Sequence, residues 1–462
     1  MTYALRRLKL SAITAFSLFV SPVSLQAETL ADALVSAYEN SGLLLQNRAV
    51  LRAADEGVAQ AVASLRPTLT YILQSTRQHV NNVPVGDFTE SATLQLRLPI
   101  YQFGRGRLAI EAQKETVLAT RDALVSVEQQ VLLRAIQAYM NVRRDAQFVD
   151  LSHNNVRLIT EELRAARDRF EVGEITRTDV SLAEARLASA RATLAAREGN
   201  FQVSREEYRA AIGDYPGQLA TPPRAPSVAS SVQAAQNLAV QNHPDLKRAQ
   251  RDVTVAEMNI AITERQMLPT VSATANGVLG ENGSQSGTLG LQITGPIYQG
   301  GQLKSLQRQA MAQRDASRAL LLIAGQTVQQ NVGNAWSQLS VSHAQIQASN
   351  RAISASRAAW EGVREEARLG ARTTLDVLNA EQDLLDARSN LVSAQSDSQV
   401  AAYNLLASMG LLTVEHLNLG VQTYDPADYY AAVSGAPARR ATSEQGERLD
   451  ALLRSIAGGN GN

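Results

Sequence analysis

Pro99-Ile100-Tyr101-Gln102-Phe103-Gly104 recurs as Pro296-Ile297-Tyr298-Gln299-Gly300-Gly301, an offset of 197 residues. The same offset joins Gly173 to Gly370, Thr176 to Thr373, Asp179 to Asp376, Val180 to Val377, Glu184 to Glu381 and Leu187 to Leu384. Upstream, Pro67-Thr68-Leu69 matches Pro269-Thr270-Val271 at an offset of 202. One short match arises by chance; an aligned series over more than a hundred residues marks an internal duplication. The sequence therefore divides into a first repeat, 28–213, a proline-bearing linker, 214–229, a second repeat, 230–410, and a C-terminal region, 411–462, that turns polar and Gly-rich after about Tyr424. A short helix is expected in that tail around 447–456, the rest of it being mostly unstructured.

Each repeat changes period twice. Residues 28–65 carry helix formers and no proline, and Pro67 stops that helix. A strand hairpin follows at about 67–99, and its counterpart lies at about 269–296. Its second half alternates, with Ala92, Leu94, Leu96 and Leu98 on one face against Thr93, Gln95 and Arg97; Leu289, Leu291 and Ile293 repeat the pattern. Pro67, Pro99, Pro269 and Pro296 are read as the breakers between strand and helix. Helical hairpins over 103–213 and 300–410 complete the repeats. Their first arms, 103–172 and 300–369, are uninterrupted and about 105 Å long at 1.5 Å per residue. Gly173 and Gly370 mark the tight turns at their ends. Beyond the first turn, Val180, Leu187, Leu194, Phe201 and Tyr208 recur every seven residues, with Ala183 and Ala190 between them, a coiled-coil seam with small residues. The fold class is thus mainly α with a small β part. The helices before the hairpin and after the turn are expected to stack end to end beside the long one.

Composition narrows the function. Basic and acidic residues balance at 44 each, which gives no support for a nucleic-acid partner. Cysteine is absent, so there is no thiolate metal site, cysteine nucleophile or lipid-modified cysteine. The five histidines, 79, 153, 243, 343 and 416, are scattered, and Gly104-Arg105-Gly106 completes neither a dinucleotide nor a phosphate loop. No enzyme, metal or cofactor is expected. Residues 1–27 read as a signal peptide: Arg6, Arg7 and Lys9 precede an apolar stretch, Leu10 to Val20, too short to span a bilayer. Four strands of alternating polarity suit a membrane barrel but cannot close one, so a dimer with eight strands or a trimer with twelve is needed. A periplasmic coiled-coil tether that forms no channel is the competing reading.

Two further stretches carry a resemblance: Val172-Gly173-Glu174-Ile175-Thr176-Arg177-Thr178-Asp179-Val180 and Leu369-Gly370-Ala371-Arg372-Thr373-Thr374-Leu375-Asp376-Val377. With the duplicated hairpin and Pro-Ile-Tyr-Gln-x-Gly block, they make the chain similar to the TolC family of outer-membrane efflux and secretion proteins. The resemblance implies a homotrimer whose twelve strands form an outer-membrane β-barrel in contact with lipid and whose helices form a duplicated coiled-coil tunnel across the periplasm of a Gram-negative cell. It implies an exit duct for a tripartite efflux pump, for type I protein secretion, or for both. The partners it implies are a periplasmic membrane-fusion adaptor and an inner-membrane ABC, RND or MFS transporter. Val172, Gly173, Thr176, Arg177, Leu369, Gly370 and Thr373 match the adaptor-contacting turns. Asp376 matches an acidic constriction, Asn379 stands where some members carry a second aspartate, and Arg372 and Asp179 match positions that link neighbouring helix pairs in the closed state.

Overall fold

A computed structural model describes residues 27–80, 83–223 and 229–437, together with 447, 448, 451, 452 and 454. Apart from Ala27 the expected signal peptide lies outside these residues, as do 224–228 of the linker and most of the tail beyond 437. The first half runs α1 (Leu30–Asn40), α2 (Gly42–Ala63), β1 (Thr68–Val80), β2 (Val83–Tyr101), α3 (Arg105–Glu171) and α4 (Arg177–Ile212). The second repeats that order as α5 (Val232–Asn242), α6 (Pro244–Arg265), β3 (Thr270–Gly280), β4 (Gln285–Thr294), α7 (Gln302–Arg368) and α8 (Thr374–Ser408), before a short α9 (Pro426–Val433). The two long helices have 67 residues each, about 100 Å. Both start at a left-handed glycine, Gly104 at φ 74° and Gly301 at φ 87°.

Three expectations need correction. The helix expected over 28–65 is two helices, because Ser41 leaves the helical region and its hydroxyl accepts the Leu44 N–H at 3.3 Å, starting α2 anew. The second repeat breaks at the matching place, where His243 is extended and Pro244 opens α6. Pro67, Pro269 and Pro296 lie outside the strands, but Pro99 is not a breaker: β2 runs through it to Tyr101. Its register with β1 ends at Arg97, so at Pro99 only β3 flanks the strand, and a register shift follows between Pro99 and Tyr101. The segment after Tyr424 is ordered into α9, whose Tyr429, Ala432 and Val433 pack on Ala59 of α2. Tyr429 Oη donates to Glu56 at 2.8 Å, and Arg121 Nη2 donates to the Pro426 carbonyl at 3.1 Å. Within 447–456, the described residues are helical.

Helix α3 is the spine. It packs on α1 and α2 along one half and on α4 along the other, and also meets α6 and α8 of the second repeat. Small side chains allow the approach: Ala33, Ala135, Ala138, Ala235 and Ala239 are buried in one core with Leu132, Ile136, Tyr139, Tyr208, Val332 and Leu406. Arg251 of α6 clamps α3 through Asp122 at 2.7 Å and Glu115 at 3.2 Å. The chain entering α1 is fastened beside the linker: the Glu28 N–H donates to Gln218 and the Ala220 N–H to Glu28. Fully buried Tyr139 donates to the carbonyls of Glu28 at 3.0 Å and Ala220 at 2.7 Å.

Replacing Tyr139 by Phe keeps the ring and leaves the Ala220 carbonyl without that donor. The expected loss is about 1–3 kcal/mol, read as a lower denaturant midpoint with an unchanged slope.

Candidate functional site

The two ends of the rod carry the features that bear on function. At one end the sheet has the order β1-β2-β3-β4, all antiparallel. Register sorts most of its side chains by polarity, with Ile72 and Val278 the apolar members of the otherwise polar face. Leu69, Leu96, Ala275 and Leu289 form one row across all four strands, and Thr70, Gln95, Asn276 and Thr288 form the next, on the opposite face. The apolar face continues through Tyr71, Leu73, Leu94, Leu98, Leu291 and Ile293, and it is bare: Leu289 is 89% exposed and Tyr71 75%. Strands β1 and β4 each leave one edge unpaired within the protomer. Among the described residues, no helix is long and apolar enough to cross a membrane.

At the other end each long helix turns back through a glycine. Gly173 has φ 80° and Gly370 φ 79°, and a Cβ on either would meet nothing within 4 Å. Glycine is therefore required there by backbone conformation, not by space. The turn closes as the Gly173 N–H donates to Phe170 and the Glu174 N–H to Arg169; Gly370 and Ala371 do the same to Ala367 and Glu366. Val172 and Leu369, beside the glycines, are 71% and 78% exposed.

Thr176 and Thr373 then open α4 and α8 with reciprocal caps. The Thr176 hydroxyl accepts the Asp179 N–H at 3.3 Å, while the Asp179 carboxylate accepts the Thr176 N–H at 2.9 Å and hydroxyl at 2.7 Å. Thr373 and Asp376 repeat this at 3.2, 3.0 and 2.9 Å. These bonds favour the ionised form, so both carboxyls lie below the usual aspartate range. The Thr176 hydroxyl is the main cause for Asp179, and the Thr373 N–H for Asp376. The carboxylate contribution to each cap is present above the ordinary aspartate value of 3.8 and is lost as pH falls below it.

Asp179 and Asp376 are thus capping residues, a role the sequence reading did not give them. Arg372 does not pair with Asp179 within the chain; its Nε donates to Glu366 at 2.8 Å, tying the turn to the end of α7. Arg177 is the first residue of α4 and exposed. Asn379 reaches the other repeat, its Oδ1 accepting from Arg186 Nη2 of α4 at 2.8 Å. One residue before it, Leu378 is buried with Ile159, Leu163, Ala183 and Leu187, so the start of α8 sits in the groove between α3 and α4. Glu381, also buried there, was missed from sequence.

The family model described as outer membrane efflux protein matches residues 33–214 and 235–411. Outer membrane efflux protein BepC of Brucella suis biovar 1 is 34% identical, covering 88% of this chain and 91% of that protein. Alkaline protease secretion protein AprF of Pseudomonas aeruginosa is 26% identical, with 82% of each covered. Among solved structures, the Campylobacter jejuni CmeC outer membrane channel superposes with a TM-score of 0.74 at 16% identity, over 88% of this chain and 90% of that one. At that identity the likeness is one of fold.

Thr176→Ala removes the hydroxyl from one cap while leaving the glycine turn intact. A loss of about 1 kcal/mol is expected, seen as about fivefold less hydrogen-exchange protection over the first turn of α4 and none lost in the middle of α3.

Proposed function

Because the chain belongs to the outer membrane efflux protein family, we propose that three copies join their sheets into a twelve-stranded barrel whose helices form a passive duct gated at the glycine-turn end. The protein resides in the outer membrane of a Gram-negative cell, and its helical part extends into the periplasm. The observation that carries the proposal is the open-edged sheet with one apolar and one polar face. In hydrocarbon, unpaired backbone groups have no water to bind, so each β1 edge requires the β4 edge of another copy. Closing the sheet turns the Leu69–Leu289 row to lipid and the Thr70–Thr288 row to an aqueous lumen. The resemblance to the TolC family supports three copies over two.

The exposed turns around Val172 and Leu369 offer apolar side chains to a periplasmic membrane-fusion adaptor, which couples the duct to an inner-membrane ABC, RND or MFS transporter. The names of the relatives support both kinds of traffic, efflux for BepC and secretion of a protease for AprF. At the gate, three copies of Asp376 gather about the axis. Their mutual repulsion is tolerable because the Thr373 cap stabilises each carboxylate and Arg372 lies nearby. Arg372, anchored on Glu366, stiffens the turn and holds the constriction narrow, with Asp179 of a neighbouring helix pair within reach of the same surface.

Planar bilayers test this reading. Purified protein is expected to form cation-selective channels. Arg372→Ser raises the single-channel conductance, and Asp376→Asn lowers cation selectivity and block by multivalent cations. Variants indistinguishable from the parent would move the gate elsewhere, and absence of any conductance from an assembled oligomer would refute the duct.

A further inference from the structure

Arg167 of α3 and Glu184 of α4 form an ion pair at 2.6 Å, with both side chains half exposed. The 197-residue offset carries this pair onto Arg364 of α7 and Glu381 of α8. The second repeat does not keep it. Arg364 reaches across the repeat boundary, its Nε 3.7 Å from Glu162 Oε1 of α3, and its guanidinium lies over the Trp360 ring, 5.3 Å from the centroid. Glu381 is 5% exposed and its Oε1 has no hydrogen-bond partner. Charge on a buried carboxylate with an unpaired oxygen is costly, and the usual remedy is to keep its proton.

The surroundings reinforce this. From α3, Glu162 and Glu161 both act on Glu381. From α7, Arg364 alone acts in the opposite direction. The Arg186 guanidinium of α4, close to the same seam, is engaged by Asn379. Burial first, then Glu162, push the Glu381 carboxyl up to about 7, against an ordinary 4.5. The seam itself is the one filled by Leu378, one turn before Glu381, against Ile159, Leu163 and Leu187.

We propose that Glu381, with Glu162 and Arg364, is a proton-operated latch between the two helical hairpins: protonated Glu381 lets α8 stay seated against α3, and ionised Glu381 drives the hairpins apart. Its bearing on transport rests on the gated-duct reading; the latch is a property of the seam alone. The sign follows from linkage. The seated arrangement binds the proton more tightly than a solvent-exposed one, so its advantage is complete below about 4.5 and is lost as pH rises through about 7. Within that window, acidification favours the seated state by up to about tenfold per pH unit.

The chain has no cysteine, so Ala165→Cys on α3 and Ala359→Cys on α7, both exposed, accept spin labels in an otherwise native protein. Pulsed distance measurements on the assembled full-length protein in lipid, at pH 8 and pH 5, read the seam directly. The parent should show a longer, broader distance component at pH 8 that disappears at pH 5. Glu381→Gln keeps the shape and removes the charge, and should hold the short distance at both pH values. Glu184→Gln, the exposed counterpart, should leave the response intact. Arg364→Gln should move the transition to higher pH, and it decides the matter where Glu381→Gln does not assemble. A parent that does not respond to pH, a Glu381→Gln protein that responds like the parent, or an unmoved transition in Arg364→Gln overturns the latch. Bilayer conductance on the same samples separates the two readings, since a distance change in an assembled protein that never conducts sinks the duct and leaves the latch.

Discussion

An antiparallel sheet with one bare apolar face and two unpaired edges is unstable in water and inadmissible in hydrocarbon as a single copy. The order of strands and helices in each repeat follows from that constraint. The apolar row Leu69–Leu96–Ala275–Leu289 runs across strands from both repeats, so duplication builds a four-stranded unit from two hairpins. The β2–β3 pairing joins the repeats within the sheet. Helices α2 and α6 lead into the hairpins and α3 and α7 lead out of them, so barrel closure also gathers the long helices around one axis.

The far end obeys a different rule. There the bonds around Gly173 and Gly370 and the Thr176–Asp179 and Thr373–Asp376 caps satisfy locally several of the backbone groups that the reversal would orphan. The turns are therefore defined before any neighbour arrives, and they can present Val172 and Leu369 as surface. Between the ends, alanines do the joining. Ala183 and Ala190 on α4 are buried where the helices approach, which lets rigid rods lie close and makes any inserted charge, such as Glu381, expensive to ionise.

Much of this was legible in the sequence because it is written as periodicity. The 197-residue offset, the period of two in Leu94-x-Leu96-x-Leu98 and the length of the proline-free stretches correspond to the strands and long helices directly. The break at Ser41 was hidden because serine followed by glycine is a weak signal beside proline, although Pro244 in the second repeat stood at the matching position. Pro99 misled for the opposite reason: a strand tolerates proline where one flank is unpaired, and pairing is not a local property. Gly173 and Gly370 mark reversals in the sequence, and both take positive φ, but the family resemblance assigns Thr176 and Thr373 to adaptor contact and Asp179 and Asp376 to the gate, whereas each Thr–Asp pair is first a helix cap. Glu381 could not be distinguished from Glu184 by sequence. The two occupy equivalent positions, and only the docking of α8 against the other repeat buries one of them.

Disulfide mapping of the sheet edges tests the central claim most directly. Thr70→Cys on β1 is combined in turn with Thr288→Cys, Gly290→Cys or Gln292→Cys on β4, and the protein is oxidised in native outer membranes. Closure by three copies predicts that at least one combination gives a covalent species of three chains and nothing larger, resolved to single chains by reductant. A ladder ending at two chains, or a monomer that conducts in bilayers without any cross-link between copies, would contradict it.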